Sequence, residues 1–522
     1  MVKRILLSAL LVLFITNLVY LKDAPVKVNK EAKAHLEKGL KFYENKQFDQ
    51  AISEFNQAIS IDFNYAEAYE CLGDAYKDKA DKSFFFTSEV DEWHRRASQA
   101  YDRAINLGTD TGLIYQKRGK VNGHLGKTEL ALKDFDISIE KFNQAIKHEP
   151  KNSENYLNRA IANYYKIWTC NQDVAFRDSA FADLRLAIRL NSKYVEAYRE
   201  LGFICSISGK AYRDSAIVAY SKVIEYQPKD AEAYFLRGEI YQNKGNNDQA
   251  IADFSSAIDL KFDNPMVYIN RAINYVDKKT NELAIKDYNS AIEINPGVGF
   301  LYRARFYKRI REYDLAIADY TKSIELNPYS LSPIDNSCSY EGRALCYFDK
   351  KEYDKAIVDF TQVVENNIYF GDVADPFPLR ARAYFLNNQF DLADSDYTTC
   401  IKYEPQNPNK YCSRGDFYKN IGKFDLALQD LNKGLEIDPN HYYCTVTRGE
   451  VYTAMRNYNK AFDDLDRAIK LQPTNPCAWY YRGLVYKARM DKSNAIADFK
   501  KCIGYGGYKD AQVQLNELEK KP

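Results

Sequence analysis

The sequence predicts an all-α solenoid of about thirteen helix-turn-helix repeats with a C-terminal capping helix, and three observations predict it. A short phrase keeps returning: R-G-E-I-Y at Arg237, R-A-I-N-Y at Arg271, R-G-D-F-Y at Arg414, R-G-E-V-Y at Arg448 and R-G-L-V-Y at Arg482. Its small residue recurs thirteen times, at Gly39, Gly73, Gly119, Ala160, Gly202, Gly238, Ala272, Ala304, Ala344, Ala381, Gly415, Gly449 and Gly483, most often 34 residues apart. Every copy then carries an Ala, twelve residues on in ten of them and later at Ala97, Ala180 and Ala216. Composition agrees: 23 Gly and 15 Pro among 522 residues fall below ordinary usage of about 7% and 5%, which excludes collagen-like and turn-rich all-β designs. Self-similarity at such a period marks one array in place of the several globular domains that about 150 residues each would suggest.

Each repeat reads as a pair of antiparallel helices. The Gly/Ala slot lies on the first and the Ala slot on the second, and small residues at both let the two backbones approach, so the slots mark the line of contact. An aromatic stands three residues after the small slot, as in Tyr76, Tyr241, Tyr275, Tyr307 and Tyr418, and a Phe, Tyr or Leu four after the Ala, as in Phe55, Phe254, Tyr288, Tyr320 and Phe360. Both are helical spacings. Pro228, Pro296, Pro328, Pro439 and Pro473 are placed to end second helices, because proline lacks the N–H that would continue them.

With this small, aromatic, Ala, aromatic and Pro pattern in place, the chain resembles the tetratricopeptide repeat family from about Ala32 to Tyr505. The resemblance implies a right-handed superhelix whose first helices line a concave groove, and a general activity of holding other proteins. The family's chaperone-binding subset grips a chain-terminal carboxylate with Lys and Asn at set places, a pattern absent here. Residues 32–329 then form repeats one to eight, 330–507 repeats nine to thirteen, and 508–522 a capping helix, where Ala511, Leu515 and Leu518 supply one apolar face.

Ahead of the array, Lys3 and Arg4 precede an apolar run from Ile5 to Leu21. This pattern reads residues 1–22 as a signal peptide or an uncleaved signal anchor, with 23–31 as linker, so the expected location is membrane-anchored or exported, on a side left open. Departures from the period mark modified repeats. Repeat two gains residues around Phe84, Phe85 and Phe86, read as longer helices packing together. Repeat three gains seven, nearly two helical turns, repeat four gains eight near Trp168, and repeat five gains two. Runs at Asn327 to Ser339 and Asn366 to Pro378 are candidate hinges.

A second regularity is electrostatic. The residue before the small slot is Arg in ten repeats, and those ten carry Asp three residues after the Ala: Arg118 with Asp134, Arg159 with Asp183, Arg271 with Asp287 and so on to Arg482 with Asp498. Repeats two and five lose both charges together, as Leu72 with Ala100 and Leu201 with Ala219, and repeat one keeps the signs as Lys38 with Glu54. Matched loss predicts an Arg–Asp pair inside each repeat, because a buried pair missing one member is costly.

A net charge of +1 excludes a global field for nucleic acid. The histidines are isolated, and Gly126-Lys127-Thr128 has Val121 where a phosphate loop needs Gly, so it reads as a turn. The ten cysteines show no C-x-x-C and read as scattered thiols in place of a metal site or staple. No length is left for a catalytic domain, and neither enzyme activity nor a cofactor is expected. Two charged stretches stand out as partner-binding candidates. Glu67, Glu70, Asp74 and Asp78 share one helix face in repeat two. In repeat eight, Tyr302, Arg305, Lys308 and Arg309, with Arg311 and with Arg382 two repeats on, form a basic pocket suited to an acidic peptide or chain terminus. The expected partners are proteins or peptides, with no nucleic acid and a membrane contact through the N-terminal segment alone. The alternative is a polysaccharide or other non-protein ligand bound by groove aromatics such as Tyr164, Tyr165, Tyr480 and Tyr481.

Overall fold

A computed structural model describes residues 29–81, 88–170, 174–326, 333–366 and 376–519. Among the described residues every regular element is helical, with 27 α-helices and one short 3-10 turn. They pair as the repeats predict: Lys30–Glu44 with Phe48–Ile61, Ala231–Asn243 with Asn247–Asp259, Pro476–Ala488 with Lys492–Gly504, and so on. The chain comprises two compact units, Met1–Ile294 and Asn295–Pro522. The first holds repeats one to seven, the second repeats eight to thirteen and the closing helix Lys509–Glu519. Within each unit a first helix packs on its own second helix, which packs on the next first helix.

The small slots and the Ala slots are all buried, and the Ala side chains have no exposed surface. The slots do meet, the Ala427 and Ala461 carbonyl oxygens lying 3.4 and 3.5 Å from a Cβ built on Gly415 and Gly449, but a large side chain comes closer still. A Cβ built on Gly238 would lie 2.8 Å from the Phe254 ring, and one on Gly449 would lie 2.9 Å from Leu465. The small residue therefore houses the large residue sixteen positions on, and the Ala lets the second helix come close enough to deliver it.

Turns between paired helices repeat one device. Seven residues after the small slot the backbone turns left-handed, at Lys46, Gly126, Gly245, Lys279, Arg311, Lys351, Asn388, Gly422, Arg456 and Met490. This closes the first helix with the residue just past its C-cap. The Gly126-Lys127-Thr128 phrase is accordingly a turn. Pro296 differs from its expected role: it opens the helix Pro296–Arg309 behind the N-cap Asn295, whose side chain accepts the Val298 N–H at 3.2 Å. Pro265, Pro408 and Pro476 open helices in the same way behind Asn264, Asn407 and Asn475.

The insertions lengthen helices. Repeat two pairs Ala66–Asp81 with Ser88–Asn106, repeat three has an unbroken second helix Thr128–His148, repeat four runs Ser153–Cys170 and Val174–Leu190, and repeat five adds the 3-10 turn Lys210–Tyr212. The closing helix buries Ala511 and Leu515 against Phe499 and Cys502. The apolar run Ile5–Leu21, the Phe84–Phe86 insert, and the parts of the two candidate hinges at 327–332 and 367–375 lie outside the described residues. No helix among the described residues is long and apolar enough to cross a membrane.

Candidate functional site

All ten Arg–Asp pairs form inside their own repeats. Arginine Nε and Nη2 donate to the two aspartate oxygens at 2.6 to 2.9 Å, from Arg118 on Asp134 to Arg482 on Asp498. Lys38 Nζ reaches Glu54 at 2.6 Å in repeat one. A further bond was not foreseen. Arginine Nη1 donates to the preceding repeat, Arg237 to Ser221 Oγ and Arg271 to Ser255 Oγ at 2.9 Å, Arg414 to Thr398 and Arg448 to Asn432. In these four the acceptor is the residue after the large core side chain, so one guanidinium ties two helices and the neighbouring repeat. The tyrosines either side of it complete the cage: Tyr268 and Tyr275 lie 6.0 and 5.9 Å from the Arg271 guanidinium carbon. This accounts for many of the 43 tyrosines and removes these arginines from the ligand-binding candidates.

The acidic stretch of repeat two is largely occupied by the protein itself. Lys117 Nζ donates to Glu70 and Asp74 at 2.8 Å each, Tyr101 Oη donates to Asp74, and Tyr43 and Lys77 donate to Asp78. Burial alone would lower Lys117, and Asp74 and Glu70 hold its ammonium above the ordinary value. Burial raises the Asp74 carboxyl, against the pull of Lys117. Glu67 is exposed and forms no ion pair among the described residues. The structure thus joins Glu70 and Asp74 through Lys117 and leaves Glu67 outside the group.

The same junction recurs between neighbouring first helices. The residue after the small slot meets a partner on the adjacent repeat: Asp74 meets Lys117, Glu239 accepts from Asn270 at 3.1 Å, and Glu450 accepts from Lys419 at 2.7 Å. In repeat eight that position is a cation. Its residue is Arg305, and where repeats three and seven place Lys117 and Asn270, repeat nine has Gly342. A Cβ on Gly342 would collide with the Tyr320 ring. Gly342 thus seats the Tyr320 ring, and both border a cavity of about 580 Å³ lined also by Arg305, Lys308, Arg309, Arg311, Glu341 and Asp349. Four cations face two carboxylates there, and Arg305, Lys308 and Arg311 form no ion pair among the described residues. Burial raises the Cys346 thiol to about 11 although Lys308 pulls it down. Tyr302 lies beside the cavity, its ring 5.1 Å from the Arg305 guanidinium carbon. Arg382 is not brought in and packs 5.5 Å from the Phe348 ring. Gly342 is the residue the sequence reading missed, and its signal was a glycine two before a small slot.

The aromatics named for a non-protein ligand are mostly engaged in packing. Tyr164 is buried, Tyr165 covers Lys120 Nζ at 4.1 Å, and Tyr480 lies 6.0 Å from the core ring of Phe499. Tyr164 also borders, with Trp168 and Phe203, a separate cavity of about 450 Å³ in the first unit.

These features define a solenoid of helical hairpins that exposes charged side chains between repeats, with one basic opening in the second unit. Models of the tetratricopeptide repeat match residues 39–79, 219–252, 267–297, 303–330, 411–441 and 449–488. These matches, with the paired helices, support a long multi-repeat member of the tetratricopeptide repeat family. Among similar proteins, a small glutamine-rich tetratricopeptide repeat-containing protein of Saccharomyces cerevisiae is 32% identical over 106 residues, 20% of this chain. A TPR repeat-containing protein of Methanocaldococcus jannaschii is 26% identical over 220 residues, 40% of this chain. The chain spans 28% and 34% of the length of these two relatives. A crystal structure of a tetratricopeptide repeat protein from Parabacteroides merdae is similar at 18% identity and a TM-score of 0.40, covering 49% of this chain and 98% of that one. The fold supports a protein-interaction scaffold.

Proposed function

We propose that this scaffold holds an acidic peptide segment or chain terminus in the basic cavity between repeats eight and nine, and that its N-terminal segment carries it to a membrane or exports it. The observation behind the reading is the charge of the cavity wall: Arg305, Lys308, Arg309 and Arg311 line it beside two carboxylates, Glu341 and Asp349, and Arg305, Lys308 and Arg311 form no ion pair among the described residues. Guanidinium groups suit carboxylates because their N–H donors match two oxygens at once, and a volume of this size accommodates a few side chains. Partner binding is the protein's whole activity in this reading, with no catalysis and no nucleic acid. The localisation rests on Lys3, Arg4 and the apolar run to Leu21.

Fluorescence anisotropy of a Glu/Asp-rich peptide, with a Lys-rich peptide and a neutral oligosaccharide as competitors, tests it. Arg305/Lys308/Arg309→Ala should weaken the acidic peptide about tenfold or more, since each exposed pair contributes about 0.2–1 kcal/mol, and salt should weaken binding to the parent protein. Gly342→Ala should weaken it without changing any charge. Equal affinity in both variants, or displacement by the oligosaccharide, would sink the acidic-ligand reading.

A further inference from the structure

Cys412 meets two donors distant from it in sequence, His441 and Cys444, where repeats eleven and twelve join. Cys412 lies on the first helix of repeat eleven, Pro408–Asn420, and Cys444 on that of repeat twelve, Tyr442–Ala454, with His441 as its N-cap. One ligand atom from each lies within 4.8 Å of the others. The neighbouring geometry orients them. His441 Nε2 faces Asn409 Oδ1 at 3.0 Å, while Nδ1 accepts the Cys444 backbone N–H at 3.2 Å. The ring is therefore the Nε2–H tautomer, with its lone pair on Nδ1, where it caps the helix through the Cys444 N–H. A ring N–H held by an oxygen while the other nitrogen faces outward is how ligating histidines are commonly fixed. Cys444 is fully buried, and Cys412 and His441 are half-buried, which leaves an entry path from solvent.

Space has been made for the second sulfur. Seven residues after the Ala slot, second helices carry residues such as Ala58, Ala257, Ala291 and Ala468, but repeat eleven carries Gly434. A Cβ there would stand 2.7 Å from Cys444 Sγ. Repeats six and thirteen show what a purely structural residue would be, since Ala233 and Ala478 occupy the Cys444 position there.

We propose that Cys412, His441 and Cys444 form a Cys2His site for a thiophilic divalent cation, zinc by its donor set, bridging repeats eleven and twelve. Two thiolates and an imidazole suit zinc, with the fourth tetrahedral position left to solvent or a partner's side chain. Zinc at about 2.3 Å from sulfur and about 2.0 Å from nitrogen sets its donors roughly 3.5–3.8 Å apart, so the side chains must close by about 1 Å. Binding releases the two thiol protons to solvent with no change of oxidation state, and a metal on Nδ1 replaces the long bond to the Cys444 N–H.

The test uses the full chain, reduced, with Co2+ as spectroscopic probe and Zn2+ as competitor. The parent protein should take up one Co2+ per chain with thiolate charge-transfer absorption and the strong visible bands of a tetrahedral ion, and Zn2+ should bleach both. Cys412→Ser and Cys444→Ala should abolish the charge-transfer band, the latter restoring the residue that repeats six and thirteen hold. His441→Asn keeps a helix cap and should weaken Zn2+ by about tenfold or more, as should Asn409→Ala through the imidazole. Far-ultraviolet circular dichroism identifies any variant that fails to fold, in which case Cys412→Ser, at a half-buried position, carries the test. No band in the parent, a band that survives both cysteine changes, or reduced protein that takes no Zn2+ and re-forms a Cys412–Cys444 disulfide overturns the proposal.

Discussion

At the scale of residues, the Arg–Asp pairs show why charge and apolar alternatives are both found at one position. The Asp287 side chain is 5% exposed and that of Arg271 18%, so the carboxylate depends on its partner far more than the guanidinium does. Arg271→Ala should cost about 3–5 kcal/mol by stranding a buried carboxylate, Asp287→Ala less, and the double change less than their sum. Urea unfolding of the four proteins measures this, and additive losses would refute the coupling. Leu72 with Ala100 and Leu201 with Ala219 are the natural double changes: both partners become apolar and nothing is stranded. Lys120 offers a pH test. Burial pushes its ammonium down to about 8, with Glu200 pulling the other way. Below that pH both folded and unfolded chains hold the proton and the full penalty stands. Between about pH 8 and about 10.4 only the unfolded chain holds it, so stability contributed by this group rises with pH. Lys120→Met should therefore be more stable than the parent near pH 7, with the gap closing by up to about 1.4 kcal/mol per pH unit above pH 8. A gap that is constant with pH would contradict the assignment.

At the scale of elements, each helix pair is held by one large side chain entering a small slot, and the ends of the series need their own covers. The closing helix Lys509–Glu519 covers Phe499 and Cys502 with Ala511 and Leu515. Leu515→Ala should destabilise by about 2–4 kcal/mol, because a buried leucine is lost and the helix has little else to hold it. Stability in such chains is local, so hydrogen exchange should quicken first in Pro476–Gly504 and leave repeat six unchanged. Uniform acceleration across the second unit would mean the cap has no local role. The same packing rule shapes the wall of the basic cavity: Gly342 seats the Tyr320 ring beside Arg305, Lys308 and Arg311, which form no ion pair among the described residues.

At the scale of the whole molecule, every repeat rests on its immediate neighbours within each unit, and such arrays add up intrinsic and nearest-neighbour terms. Thermal unfolding should then depart from two-state behaviour, with a calorimetric enthalpy larger than the van't Hoff enthalpy. Equality of the two would show that all repeats melt as one. The scaffold's ligand sites inherit this modularity. A change such as Arg305→Ala alters one opening and leaves the remaining repeats to fold as before.

Much of this architecture was legible in the residues. Gly238, Ala250, Phe254 and the Arg237–Asp253 pair are short-range facts, since helical period and steric size fix their partners to within two adjacent helices. The count of repeats, the paired helices, the turn at Gly126 and the ten ion pairs follow from them. What only tertiary packing decided lies between repeats, where the contacting residues are about 30 or more positions apart and no period announces them. Lys117 binds Glu70 and Asp74 across such a gap, Gly342 seats the Tyr320 ring, and Cys412 meets His441 and Cys444. Chain periodicity dictates which residues point inward, but only the stacking of one hairpin on the next brings specific side chains to the same point in space.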